Sequence, residues 1–277
     1  MLTFIYITNN LELARIAVNA GVGRIFVDLE IHGKHERQGH LDTVISGHTL
    51  DDVYQIRESV PEAELLVRLN PIHSDTRQEV EEVLEAGADL IMLPMFHTLN
   101  EVRILSHFVQ GRAGIVPLIE TVASLNIARE ISEVEGIIEL YVGLNDLHMD
   151  LKNHFIFQPL AEGLLDPVAL IAKRSKIRFG FGGVARIGEG AIPGELILGE
   201  HLRLGSDSVI LSRTFYRHDD PDRLNDNSDQ VFSDEVKKLR ATEKLLSKRS
   251  LSSVKDDHKK FVNQVNKIVT TKQQGVL

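Results

Sequence analysis

Glu120 and Asp146 stand at the ends of two consecutive apolar runs, Pro117-Leu-Ile-Glu-Thr121 and Tyr141-Val-Gly-Leu-Asn-Asp-Leu147. An acid that closes an apolar strand is either solvated at the rim of a sheet or aimed at positive charge. Two of them on neighbouring strands can share one divalent cation. Other runs end in groups of the same kind: Asp28 and Glu30, Arg68 and Asn70 in Val67-Arg-Leu-Asn70, Asn145 beside Asp146, the Gly-rich Gly180-Phe-Gly-Gly183, and Ser212 with Arg213. Each also has a plainer reading. Arg68 could be an ion-pair partner of Glu120, Asp28 a structural acid, Asn70 and Asn145 caps of the helices that follow, and the glycines a tight turn. No Lys closes a predicted strand, which disfavours a Schiff-base mechanism.

The elements that must position these residues are short β-branched runs alternating with helical-period stretches, the pattern of βα units on a parallel sheet. Strands are predicted at Leu2 to Thr8, Arg24 to Glu30, Leu65 to Asn70, Leu90 to Met95, Gly114 to Glu120, Ile138 to Asp146, Arg178 to Val184 and Ser208 to Phe215. Amphipathic stretches lie between them, as in Leu11 to Ala20 and Arg77 to Ala86, and several end in Ala-Gly, which suits a helix C-cap. The repeated grammar predicts an α/β fold, a (β/α)8 TIM barrel, with a doubly wound open sheet as the competing arrangement. In such a barrel chemistry sits at the C-terminal strand ends, and the loops after strands seven and eight are common phosphate sites. An anionic substrate could therefore reach Gly182 and its neighbours.

The barrel is expected to occupy residues 1–216. After Phe215 a polar stretch leads to two amphipathic helices, one with Phe232, Val236, Leu239 and Leu246, the other with Phe261, Val265 and Ile268. From Asn225 onward 11 Lys and Arg stand against 7 Asp and Glu, so the acidic excess of the chain, net −9, lies in the preceding residues. Residues 217–277 thus read as a linker and a basic C-terminal helical arm that could pack on its own barrel or on a neighbouring subunit; the expectation is a homo-oligomer joined through its apolar stripes.

Composition removes several functions. Net charge −9, no Trp and few aromatics weigh against nucleic acid as a partner. Without Cys there is no disulfide framework, thiolate nucleophile or thiolate metal site. No segment approaches the roughly 20 apolar residues of a membrane span, and the start lacks the basic region of a signal peptide. A soluble protein in a reducing cytoplasm is the expectation.

Asp28-Leu-Glu30, Val67-Arg-Leu-Asn70, Gly87-Ala-Asp-Leu-Ile-Met-Leu-Pro94, Leu118-Ile-Glu-Thr121 and Val142-Gly-Leu-Asn-Asp-Leu147 stand in an order and spacing that resembles the HpcH/HpaI aldolase and citrate lyase β-subunit family. The resemblance covers roughly residues 20 to 215. It implies a TIM barrel of the phosphoenolpyruvate-mutase-like type that binds Mg2+ or Mn2+ and makes or breaks a C–C bond next to a 2-oxo acid or acyl thioester. It also implies that Glu120 and Asp146 are the metal ligands and that Arg68 contacts the substrate carbonyl. Asp28 and Glu30 would hold metal-bound water or the base. From their places at strand ends, Asn70, Asn145 and Gly182 are expected, beside Arg68, to line the substrate site. The chemistry of the residues agrees, because Mg2+ takes one or two carboxylates and leaves positions for ligand oxygens. An acyl-CoA lyase or thioesterase, or a barrel kept as a binding or assembly protein, are the alternatives. One departure stands out. The aldolases carry a His directly after Asp-x-Glu, whereas here Ile31 fills that place, and the loop that follows offers His32, His35 and His40. His40 is the residue chosen for proton transfer.

Overall fold

The computed structural model describes residues 1–33, 47–216 and 228–274. Eight parallel strands follow one another round a closed barrel: β1 (Thr3–Ile7), β2 (Arg24–Asp28), β3 (Glu64–Arg68), β4 (Leu90–Leu93), β5 (Gly114–Ile119), β6 (Glu139–Val142), β7 (Arg178–Val184) and β8 (Ser208–Leu211). The fold is the expected TIM barrel. Each parallel step needs a crossover, and the helices supply it: α1 (Leu11–Asn19), α2 (Leu50–Ser59), α3 (Thr76–Glu85), α4 (Leu99–Val109), α5 (Val122–Asn126), α6 (Ala128–Ser132), α7 (Leu144–Asp150), α8 (Gln158–Ala161), α9 (Leu165–Ser175) and α10 (Gly194–Leu204). Their starts are set by polar side chains. Thr49, Thr98 and Thr121 each open a helix with a reciprocal capping box.

The strands are buried on both faces because helices cover the outside and side chains fill the inside. Ile5, Phe26, Leu66, Met92, Val116 and Tyr141 form the inner cluster. Below it, at the N-terminal ends of the strands, lies a closed ionic floor. Arg24 is 2.7 Å from Glu64 and 2.9 Å from Glu139, and Arg178 reaches both acids at 3.3 Å. The Ser208 hydroxyl donates to Glu139 as well. Two cations against two carboxylates leave this layer electrically balanced.

Two further helices, α11 (Ser228–Leu246) and α12 (Leu251–Gln273), end the described chain. The sequence predicts an arm beyond a barrel that finishes at residue 216. Of the two places open to it, its own barrel or a neighbouring subunit, α11 takes the first: it packs between α10 and α1 and so fills the eighth place in the helix ring. Phe232 meets the ring of Tyr6 edge-on at 5.1 Å, and Glu243 accepts from the Leu2 backbone N–H at 2.7 Å. Helix α12 lies on α10 and α8. The apolar stripes that suggested a subunit interface are covered within the chain: Phe232, Val236, Leu239, Phe261 and Val265 are all buried. Their burial requires no second copy. Among the described residues no helix is long and apolar enough to cross a membrane.

A large core side chain cut back to Ala typically costs about 3–5 kcal/mol. Phe232→Ala should lower the unfolding free energy of the whole barrel by that order, seen as a lower urea midpoint in one cooperative transition. A midpoint equal to the wild type's would mean that α11 is an appendage.

Candidate active site

The parallel register sets Asp28 of β2 directly beside Arg68 of β3. The carboxylate takes the guanidinium fork side-on, with Arg68 Nε donating to Oδ1 and Nη2 to Oδ2, both at 2.8 Å. Glu30, two residues past the strand, lies 3.3 Å from the same Nη2. Burial works against the guanidinium's charge, yet Asp28, Glu30 and Glu120 outweigh it and hold Arg68 above the ordinary arginine range. Arg68 is therefore a fixed cation. Its Nη1 has no hydrogen-bond partner among the described residues, and the side chain keeps 15% exposure, so one donor edge remains for a ligand.

Glu120 immediately follows β5. Its Oε1 accepts the backbone N–H of Met95 at 2.9 Å. Met95 holds a left-handed backbone, φ +48°, which a side chain disfavours and which here turns its N–H onto the carboxylate. Asp146 differs from expectation in its element. The sixth strand stops at Val142, and Asp146 sits in the first turn of α7, because Gly143 turns the chain into the helix as its N-cap. Gly143 also makes room for the other acid: a Cβ there would stand 2.8 Å from Glu120 Oε2. Burial and the neighbouring Asp146 push Glu120 up to about 8, with Arg68 opposing and not prevailing.

Asp28, Glu30, Glu120 and Asp146 are all buried; the first three bear on Arg68, and Asp146 bears on Glu120. Acids that crowd one another in this way favour a nearby proton or cation. The donors are all oxygen, which suits Mg2+ or Mn2+. Among the described residues no three His, Cys, Asp or Glu side chains form a ready-made cage, but Mg2+ takes one or two carboxylates and completes its shell with water and ligand oxygens. Glu120 and Asp146 could hold it.

The remaining expected residues fare unequally. Asn70 is buried, and its side chain is hydrogen-bonded to the backbone of Ile31 and His32 and to Glu79. Asn145 is half-buried in the first turn of α7. Gly182 has φ +42°, and a Cβ there would meet Leu144 at 2.8 Å, so its bareness serves the packing of β7 on α7. Its carbonyl accepts from the Tyr141 hydroxyl at 2.7 Å. His32 sits edge-on to His73, ring centres 4.8 Å apart. His35 and His40 lie outside the described residues. Three participants were not foreseen: Met95, Glu79 and His48, whose Nδ1 accepts the Asp28 backbone N–H at 3.0 Å. A residue far along the chain from its partner leaves no spacing signal.

A closed (β/α)8 barrel with a carboxylate-rich mouth defines a class of small-molecule enzymes rather than one member. The model of the HpcH/HpaI aldolase/citrate lyase family matches residues 4–155, more than half of the chain. The chain belongs to this family, whose description names two kinds of carbon–carbon lyase. No curated protein matches it in sequence. Among solved structures it is similar to an HpcH/HpaI aldolase from Desulfitobacterium hafniense DCB-2, with 19% identity, TM-score 0.58, and coverage of 76% of this chain and 86% of that one. It is similar to an HpcH/HpaI aldolase/citrate lyase family protein from Burkholderia cenocepacia J2315, with 14% identity, TM-score 0.62, and coverage of 83% and 93%. It is also similar to the citrate lyase β subunit of M. tuberculosis complexed with oxaloacetate and magnesium, with 16% identity, TM-score 0.56, and coverage of 85% and 96%. At these identities the likeness is one of fold.

Two outcomes follow from the Glu120 pocket. Gly143→Ala should weaken Mn2+ binding about tenfold or more, the usual scale for disturbing the surroundings of a ligand, as read by titration calorimetry. The second concerns pH. Glu120 binds its proton more tightly folded than unfolded, so its contribution to stability is complete below its ordinary value near 4.5 and is lost as pH rises through about 8. In EDTA at pH 8.5, Glu120→Gln should melt at a higher temperature than the wild type, and the gap should narrow toward pH 5. A gap that widened on acidification would refute the shift.

Proposed function

We propose that this chain is a Mg2+- or Mn2+-dependent carbon–carbon lyase that makes or breaks a bond next to the keto group of a 2-oxo acid such as pyruvate. Glu120 and Asp146 are the metal ligands in this reading. The observation that carries it is the meeting of two buried carboxylates at the barrel mouth, Glu120 and Asp146, close enough for Asp146 to raise the Glu120 pKa and with Arg68 beside them. A related barrel of this family, the citrate lyase β subunit, is described with oxaloacetate and magnesium, and this supports both the ligand class and the ion.

When bound, the cation supplies electrophilic pull on the keto oxygen and charge to balance a dianionic site. The residues do the rest. Asp28 and Glu30 grip one side of the Arg68 fork, so its free Nη1 edge is presented without a search through rotamers. A donor fixed in this way acts on negative charge as it develops on the keto oxygen during C–C cleavage. No Schiff base is required, and the mouth acids exclude a bare anion from entering without its counter-ion. His40 carries the proton in this reading, with His32 and His35 as the competing imidazoles; a loop imidazole suits acid–base work near neutral pH.

The test needs no knowledge of the second substrate. A barrel that forms an enolate from a 2-oxo acid exchanges the methyl protons of pyruvate with D2O, which proton NMR follows directly. The wild type with Mg2+ or Mn2+ should accelerate exchange. Glu120→Ala and Asp146→Ala should stay folded and lose both the exchange and the Mn2+ binding. Arg68→Lys should keep the ion and lose about a hundredfold to a thousandfold in rate. Exchange that is independent of metal, or absent with metal bound, would remove pyruvate-type acids from the reading.

A further inference from the structure

Asn70 offers the chance to separate a substrate contact from a positioning contact. Its amide is committed at both ends. Oδ1 accepts from the Ile31 N–H at 2.9 Å and the His32 N–H at 3.1 Å, while Nδ2 donates to Glu79 Oε1 at 2.7 Å. The Asn70 backbone N–H donates to that same oxygen at 3.1 Å. Glu79 stands in the first turn of α3, its second oxygen 3.3 Å from His73 Nε2. His73 Nδ1 accepts the Asp75 N–H at 3.2 Å. That leaves the neutral ring's proton on Nε2, so His73 donates to Glu79.

We propose that Asn70 and Glu79 are positioning residues, a two-part clamp that fixes the exit of β2 so that Glu30 keeps its place on Arg68. Ile31 and His32 lie beyond the last ladder position of β2, so the Asn70 oxygen takes the place of a neighbouring strand for their N–H groups. Glu30 is the residue just before them and is held on its other side through its own N–H, which donates to Asp28 Oδ1 at 3.2 Å. Its contact with Arg68 Nη2, at 3.3 Å, is longer than the two made by Asp28. With the clamp gone, that contact is the first to be lost. The guanidinium then swings toward the remaining acids, and the donor edge is no longer aimed. The effect on turnover rests on the proposed 2-oxo acid chemistry; the clamp itself does not.

The experiment uses the full chain and the variants Asn70→Ala, Glu79→Ala, their double, and the exchange pair N70D and N70D/E79Q. Hydrogen–deuterium exchange read by mass spectrometry over the peptide that contains Ile31 and His32 tests the clamp without any substrate. Both Ala variants should speed exchange there, and unchanged protection in either one overturns the proposal. With pyruvate and Mn2+ as probes, each Ala variant should lower kcat for methyl-proton exchange by about 10- to 100-fold, the usual scale for residues one contact removed from a reacting centre. The KM for pyruvate and the Kd for Mn2+ should stay within about twofold. The double variant should be no worse than the poorer single, since both act through one contact. N70D keeps an acceptor for the two N–H groups but sets a carboxylate against Glu79, so it should lose rate, and N70D/E79Q, with an amide opposite that carboxylate, should regain part of it. A raised KM in Asn70→Ala beside a normal Glu79→Ala would make Asn70 a substrate contact and overturn the clamp. If the wild type does not exchange pyruvate protons at all, the proposed function fails while the peptide exchange still decides the clamp.

Discussion

The structure turns on one guanidinium held at the mouth of the barrel. Arg68 is gripped on one side by Asp28 and touched by Glu30, while Glu120 lies near it with Asp146 beside Glu120. Buried acids are among the most costly groups a fold can carry, and gathering them at one place ties each to the charges around it. The mouth thus collects acids beside a fixed cation. Its neighbours keep it so: the left-handed backbone at Met95 aims an N–H at Glu120, and the bare Cα of Gly143 lets the carboxylate lie against the start of α7.

The floor of the barrel uses the same residue types to the opposite end. Arg24 and Arg178 meet Glu64 and Glu139 in alternation, the charges balance, and the Ser208 hydroxyl takes up part of the remaining acceptor capacity of Glu139. That layer closes the barrel from below and asks for nothing from solution. Between floor and mouth lies an apolar plug crowned by Tyr141, whose hydroxyl donates to the Gly182 carbonyl and accepts from the Ile210 N–H. The plug keeps the two ionic layers apart.

Much of this was legible in the sequence for a simple reason. Strand ends are local: an apolar run followed by an acid or an Arg marks its own position, and eight such runs in βα grammar leave few topologies. Asp28, Glu30, Arg68 and Glu120 were found in that way, and the structure brings all four to one end of the barrel. Asp146 was found on the wrong element, because a Gly N-cap inside Tyr141-Val-Gly-Leu-Asn-Asp146 continues an apolar run while ending the strand. The hydrogen bonds of Asn70 were hidden because its partners, residues 31, 32 and 79, lie on two other segments. The place of helix α11 was open for a different reason. Its stripe is indistinguishable in sequence from one that faces a second subunit, and only packing beside α1 puts it in the helix ring.

That closing helix has a bearing on how the chain comes to be made. Leu2 bonds Glu243, and β1 pairs with β8, so during synthesis β1 waits until β8 has been made before its second edge is covered. At the usual 5–20 residues per second, that interval is on the order of ten seconds or more. Throughout it, Phe4 and Ile5, both fully buried at the end, lie on a strand with one open edge, a standing invitation to mispairing. Strand β8 ends the wait, and Arg240 of α11, stacked on Phe4 at 3.7 Å while bonding the Leu2 carbonyl, is the fastening that seals the seam.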